Sequence, residues 1–421
     1  MAETPSTRRV LAASLIGTAI EFYDFYVYTT AAALVFGELF FPQTAAGMQQ
    51  LLSLATIGVA FIARPLGSLF FGHFGDRIGR KSTLVASLLT MGVSTTLIAV
   101  MPTFAQVGWV AALLLCALRF GQGFGLGGEW GGAALLAVEH APPGKRARFG
   151  MFPQLGAPVG FIAANGLFLV LGAALTPAQF HDWGWRIPFA LSALLVAVGL
   201  WIRLRLAETP EFAAALAEAP PPAVPFGELV SRHFGSLVVG TIGAIACFAL
   251  YYVATAFALN YGTQTLHYSA KDFLGIQLGA ILFMAAGIYA AAWLSDRHFD
   301  ERRVLMAGCV GTIAAGLLMA PMMTSGSLFQ IFLFLSLSLT LMGFVYGPLG
   351  AWLPGLFPAR VRYTGVSMAF NVAGVLGGGL TPMVASYLAR AYGLAAVGLY
   401  SGGAALISLI ALLLFGKARR A

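Results

Sequence analysis

Apolar residues in this chain come in long unbroken runs rather than in the alternating or narrow-striped patterns of soluble strands and helices. A helix needs roughly 20 mainly apolar residues to cross the hydrocarbon core of a bilayer. Twelve such runs are present, at 10–36, 51–72, 82–101, 107–138, 151–175, 187–206, 236–261, 272–294, 304–323, 328–353, 364–389 and 393–416. Most connections between them are short. The exception, Ala207–His233, holds four Glu and a proline cluster. It predicts a division into a six-helix bundle at 1–206, a cytoplasmic linker at 207–235 and a second six-helix bundle at 236–421. Within the linker, Thr209-Pro210-Glu211 reads as a helix start, with Thr as N-cap and Pro at the first helical position, so a short surface helix is expected there.

The polar breaks between the runs repeat. "GHFGDRIGRK" (Gly72–Lys81) follows the second run and "AWLSDRHFDERR" (Ala292–Arg303) follows the eighth, so Asp76-Arg77 and Asp296-Arg297 take equivalent places in the two halves. "PPGKRARFG" (Pro142–Gly150) after the fourth run is likewise echoed by "FPARVRYTG" (Phe357–Gly365) after the tenth. Two landmarks in register argue for parallel repeats of six spans. That plan belongs to secondary transporters, whose binding site lies between the repeats near the midplane.

Composition agrees with the runs. Of 421 residues 59% are hydrophobic and only 10% are charged, against about a quarter charged in a soluble domain; mean hydropathy is +0.84. The net charge of +8 comes from clusters on alternate connections, which hold 19 of the 24 Lys and Arg. This is the positive-inside pattern, which places both termini in the cytoplasm and argues against a nucleic-acid partner. The first run is too long for a signal-peptide core and lacks a small-residue cleavage site, so it is read as a retained helix. Cys116, Cys247 and Cys309 lie singly inside apolar runs and read as packing residues. No HExxH spacing, Cys/His cluster or GxxxxGK[ST] motif points to a metal or to ATP.

Five ionisable residues remain deep within the runs: Glu21, Asp24, Arg64, Arg119 and Glu129. Each would cost about 2.5–3.5 kcal/mol or more at mid-bilayer on an isolated helix, so they are expected to face the bundle interior. Structural ion pairing between helices is the plain alternative to function. On the first helix Gly17, Glu21, Asp24 and Tyr28 fall on one face. Two ionised acids so close repel in a low dielectric, so a cation lies between them or one is protonated. The candidate cations are Arg64, on a face with Ser53, Ala60 and Ser68, and Arg119, on a face with Gln122, Gly123 and Trp130; guanidinium suits a carboxylate. Three acids against two bases leave one acid unpaired, a natural proton site. Asp24 is favoured over Glu21 because it lies deeper from the cytoplasmic end, with Arg119 and Arg64 left to meet an anionic substrate. Glu129, near the membrane boundary among Gly127, Gly128, Gly131 and Gly132, is expected to pair with a loop arginine. Tyr251 with Thr255, Asn165, Asn260 and Asn371 are further polar interruptions, candidates for the site or for interhelical hydrogen bonds.

"GHFGDRIGRK" resembles the loop motif of the major facilitator superfamily. "IEFYDFYVYTTAAALVF", "RFGQGFGLGGEWGGAALLAVEHAPPGKR", "WGWRIPF" and "FPARVRYTGVS" are together similar to its metabolite:proton symporters, which include shikimate, α-ketoglutarate, citrate and proline or betaine permeases. The likeness spans essentially the whole chain. It implies an all-α membrane protein of twelve helices in two pseudo-symmetric bundles, taking up a small organic acid with protons by alternating access. The resemblance implies a cytoplasmic latch of Asp76, Arg77 and Arg80, with Glu139 as partner of Arg80, and a second at Asp296 and Arg297. Where relatives usually carry Glu this chain has Gly355, and glycines are missing after Asp296, so the second latch is expected to be the weaker. The fifth helix lacks the double-glycine pattern of many drug exporters. An osmolyte symporter for a zwitterion is the alternative; such members often carry a long tail after the last helix, whereas this sequence stops at Ala421. A membrane-embedded enzyme or receptor would need a convergent catalytic site, and none is visible. The expected partners are a small metabolite, in the first place a carboxylate, protons and membrane lipid. The expected location is the bacterial inner membrane, as a monomer without a cofactor, the proton gradient supplying the drive.

Overall fold

The computed structural model describes residues 7–44, 46–204 and 224–415. Twelve helices long and apolar enough to cross a membrane follow one another. The first half consists of α1 (Thr7–Leu34), α2 (Ala46–Arg77), α3 (Arg80–Ala99), α4 (Trp109–Val138), α5 (Arg146–Ala174) and α6 (Arg186–Leu204). The second consists of α7 (Pro225–Gln264), α8 (Ala270–Arg297), α9 (Glu301–Met323), α10 (Leu328–Trp352), α11 (Ala359–Tyr392) and α12 (Leu394–Phe415). No strand occurs among the described residues. Each run is helical because in lipid a backbone must satisfy its own hydrogen bonds.

The breaks have local causes. Gly79, at φ +112°, turns the chain between α2 and α3, and Gly393, at φ +79°, does so between α11 and α12, both conformations that favour glycine. Ser269 and Asp300 cap α8 and α9, their side chains accepting from the amides of Asp272 and Arg303. The seventh helix starts at Pro225, earlier than its apolar run, and bends at His233. The described part of the linker is therefore helical. Thr209-Pro210-Glu211 lies outside the described residues.

The two halves share one packing scheme. In the first, α1 lies along α5, α2 along α4 and α3 against α6; in the second, α7 lies along α11, α8 along α10 and α9 against α12. The halves meet mainly through α2 on α11 and α5 on α8. Glycines permit the closest crossings. A Cβ at Gly123 or Gly127 of α4 would overlap the carbonyl of Ala60 or Arg64 on α2, and Gly343 of α10 faces Gly287 of α8 in the same manner. Backbone-to-backbone contact at small residues is how helices associate in lipid, where no hydrophobic drive between them exists. The α2–α4 crossing also sets the position of Arg64. Both α7 and α11 contain a π turn, at Val253–Phe257 and Val375–Gly379.

Gly127→Val is expected to push α2 off α4 and to cost about 1–3 kcal/mol, the usual range for overpacking. Thermal unfolding of the detergent-purified protein would show a lowered midpoint; an unchanged midpoint would mean the crossing has slack.

Candidate functional site

Between the halves, near the middle of the helices, lies a cavity walled by α1, α2, α4 and α5 on one side and α7, α8, α10 and α11 on the other. Its wall is aromatic and thioether-rich: Phe25, Tyr26, Phe248, Tyr251, Tyr252, Tyr346, Phe370, Met284 and Met342 among others. Only two charged side chains line it, Glu21 and Arg64. Its free volume of about 30 Å³ holds roughly two water molecules, so the site is collapsed in this conformation.

Glu21 is fully buried and neither of its carboxylate oxygens has a hydrogen-bond partner. Asp24, one turn along α1, accepts from Ser192 Oγ of α6 at 2.6 Å, and its other oxygen has no partner. Arg64 Nε donates to Asn371 Oδ1 of α11 at 2.7 Å, a bond between the two halves. Arg119 is sealed behind the cavity wall, its guanidinium 4.7 Å from the Phe25 ring centre and 3.9 Å from that of Tyr28. It donates to Gln122 Oε1, while its Nε and Nη2 have no partner. Gln122 in turn donates to the Asp24 backbone carbonyl and to Thr95, so Arg119 reaches Asp24 only through an amide.

Among the described residues of this region Glu129 forms the one complete ion pair, with Arg203 of α6, and accepts from Ser87 at 2.7 Å. Arg203 also donates to the Leu84 carbonyl at 2.7 Å. Arg203 is only 3% exposed; counting it among loop cations, because it ends its run, misses that it is buried. The signal was the helical spacing Ser192, Val196, Gly199, Arg203, the face that α6 buries against its neighbours. The intramembrane balance is therefore three acids and three arginines rather than three and two. Matching numbers still leave Glu21, Asp24, Arg64 and Arg119 bonded to neutral groups or to none.

The other sequence candidates separate. Tyr251 stands on the cavity wall with its hydroxyl unpartnered. Trp130 does not; it is stacked on Phe370 at 3.6 Å and donates to Gln154, which donates to the Tyr346 carbonyl. Asn165 accepts from Thr30 of α1, Asn371 ties Arg64 to Ser68 and to the Gly127 carbonyl, and Thr255 bonds back to its own helix. Asn260 is half-buried beyond the π turn of α7 and off the wall.

At the end of the bundle that carries the Asp-Arg loops, two clasps cross between the halves. Asp76 accepts from the amides of Tyr363 and Thr364 and from the Thr364 hydroxyl, at 2.8–3.1 Å, sitting on the N-terminal turn of α11. Asp296 accepts from the amides of Ala147 and Arg148 and from Arg148 Nε, at 2.8–3.1 Å, on the first turn of α5. Each carboxylate meets unsatisfied amides at the positive end of a helix dipole. Glu139 pairs with Arg362 at 3.3 Å; the side chain of Arg80 lies outside the described residues. Arg77 and Arg297 turn away from the seam, Arg77 to His73 one turn back and Arg297 over Trp293. Gly355 offers no side chain to the second clasp, and Arg148 bonds Asp296. Both carboxylates are shielded from solvent, Asp76 being 3% exposed and the Asp296 side chain 4%.

A family model for the Major Facilitator Superfamily matches residues 14–379. The chain belongs to that superfamily. It is similar to the "Inner membrane metabolite transport protein YhjE" of Escherichia coli (strain K12), 48% identical over 98% of this chain and 95% of the relative. The "Shikimate transporter" of the same strain is 38% identical over 98% and 95%, and its "Proline/betaine transporter" 32% identical over 90% and 77%. Among solved structures, the proton:xylose symporter XylE superposes with a TM-score of 0.81 at 15% identity, covering 98% of this chain and 96% of that one; at that identity the likeness is one of fold. This superfamily member is a multi-pass inner-membrane transport protein of small metabolites, not an enzyme.

Asp76→Ala removes three hydrogen bonds from the start of α11, charge-assisted ones worth about 1.5–3 kcal/mol each when buried. Hydrogen exchange of the Tyr363 and Thr364 amides is expected to quicken at least about tenfold, equivalent to 1.4 kcal/mol of opening. Unchanged exchange would show that the clasp carries no closing energy.

Proposed function

We propose that this protein takes up a small organic acid together with protons by alternating access, the Asp-Arg loops facing the cytoplasm. One observation carries the reading: a cavity between the halves whose only charged wall groups are one arginine and one buried carboxylate without a hydrogen-bond donor. The orientation rests on the basic clusters that share the side of those loops. The clasps at that end make this the conformation closed to the cytoplasm, with the site itself collapsed.

Arg64 supplies the receptor for a substrate carboxylate, and the aromatic wall favours an alicyclic or aromatic body over an extended polar one. Its bond to Asn371 gives binding a mechanical effect. A substrate carboxylate is a better partner for guanidinium than a neutral amide, so it competes Arg64 away from the opposite half. Glu21 is the coupling acid supported by this geometry. An ionised carboxylate without donors inside the bundle is costly, and taking up a proton removes the charge beside the site where the anion must enter. Asp24, favoured from sequence alone, is tied to Ser192 and lies off the cavity wall. The name of the shikimate transporter relative points to the same substrate class.

A zwitterion is the second reading. Tyr26, Tyr251 and Tyr252 share the cavity wall with Arg64, and clustered aromatic faces bind quaternary ammonium groups. The protein is proposed to act as a monomer without a cofactor.

A thermal-shift screen of the purified protein against mono-, di- and tricarboxylates and betaines, at two pH values, tests the substrate class. Carboxylates are expected to stabilise it and Arg64→Gln to abolish that effect; stabilisation by betaines alone would sink the organic-acid reading. In proteoliposomes loaded with the stabilising ligand, Glu21→Gln is expected to lose proton-driven accumulation while keeping exchange across the membrane. Intact accumulation in Glu21→Gln, with its loss in Asp24→Asn, would return the coupling role to Asp24.

A further inference from the structure

Beyond the cavity wall, the first half holds a buried polar group that the transport cycle above does not use: the pair Glu129–Arg203. Its surroundings tie it to Glu21. Gly17 on α1 packs on Arg203 so closely that a Cβ there would stand 2.5 Å from Nη2, and Gly199, one turn before Arg203 on α6, packs on Ile20 of α1. Glu21 is one turn beyond Gly17 on the same face. Helical side chains tilt toward the N-terminus of their helix, so the Glu21 carboxylate leans over the site where the guanidinium of Arg203 lies. Arg64 shares the cavity wall with Glu21, and Arg203 lies behind it, against Gly17 one turn before. Glu21 is hydrogen-bonded to neither.

The remaining neighbours of Glu21 leave the arginines in control. Asp24 follows one turn along α1; lining the cavity with Glu21 are Tyr26 of α1, Tyr251 and Tyr252 of α7 and Tyr346 of α10, with the apolar Ala157 of α5. From α4 comes Glu129, which holds Arg203. A line of alternating charge results, Glu129, Arg203, Glu21, Arg64, running from the interior of the first half to the seam at Asn371.

We propose that Arg203 is a positioning residue for proton coupling: Glu129 retains it while Glu21 is protonated, and it turns to Glu21 when that acid is ionised. The guanidinium has the donors for such a change, since Nη1 stays on the Leu84 carbonyl while Nη2 exchanges one carboxylate for the other. Besides the exchange of hydrogen bonds, one O–H bond of the Glu21 carboxyl breaks: its proton passes to water in the cavity, and the carboxylate left behind is the group that Nη2 meets. Glu129 is thus the competitor that sets how readily Glu21 gives up its proton. The purpose of Gly17 is to leave room for the guanidinium between the two acids.

The idea rests on Glu21 as the coupling acid, and its test uses no substrate, so its failure is separable from failure of the transport reading. Infrared difference spectra of the purified protein, titrated with pH, report the C=O stretch of protonated carboxyl groups; the band missing in Glu21→Gln belongs to Glu21. Glu129→Gln frees Arg203 for Glu21 and is expected to shift the midpoint of that band to lower pH by about one unit, a tenfold change in proton affinity, as one added close cation does. The double variant Glu129→Gln/Arg203→Gln, which leaves no uncompensated charge, is expected to shift it the opposite way by a similar amount. Gly17→Ala, which alters no charge, displaces the guanidinium and is expected to follow the double variant. Opposite shifts support the proposal. Midpoints that stay at the wild-type value, or move in one direction in all three variants, overturn it and leave Glu129–Arg203 a structural pair; Gly17→Ala decides alone if the other two do not fold.

Discussion

A carboxylate placed inside a helical bundle in lipid has few ways to be tolerated, and the arrangement of this protein follows from how Glu21 is handled. It is given neither a hydrogen-bond donor nor a dedicated salt bridge. Instead the fold sets one arginine on each side of it and gives each arginine another partner, Asn371 for Arg64 and Glu129 for Arg203. Energies of buried charges are large and of both signs, so small changes in which partners are chosen move the balance between conformations. A fully paired Glu21 would be a structural strut. One left with no cation near it would be a defect.

Much of this was legible in the sequence. The twelve runs, the six-plus-six division and the internal echo at Asp76 and Asp296 follow from hydropathy and repetition, because lipid enforces them residue by residue. The shared face of Glu21 and Asp24 follows from helical geometry alone. What sequence could not supply was the identity of partners across helices. Arg203 ends its run and so counts as a loop cation until α6 is packed against α1 and α4. Arg119 and Arg64 look equivalent on their own helices, yet Phe25 and Tyr28 cover one and leave the other on the wall. Trp130, a plausible wall residue by spacing, is spent on a stack with Phe370.

The latch shows the same division between pattern and partner. The repeat located both aspartates, but not that the donors they meet include backbone amides at the starts of α5 and α11. An amide at a helix start has no sequence signature of its own; any residue provides one. This explains how the second clasp persists without a carboxylate at Gly355. Two amides of the helix start and the Arg148 side chain hold Asp296.

The two clasps are reciprocal: the first half holds the fifth helix of the second half, and the second half holds the fifth helix of the first. Mechanically the seam is bivalent. When one clasp lets go, the other keeps its partners at high local concentration, and re-closure is favoured over drift. Stable separation therefore requires both to be undone within the same excursion, which discourages half-open states. For a machine that moves a solute against its gradient, half-open states are leaks. The paired aspartates thus convert a gradual loosening of the seam into something closer to a toggle, and tight coupling follows from geometry that neither clasp possesses alone.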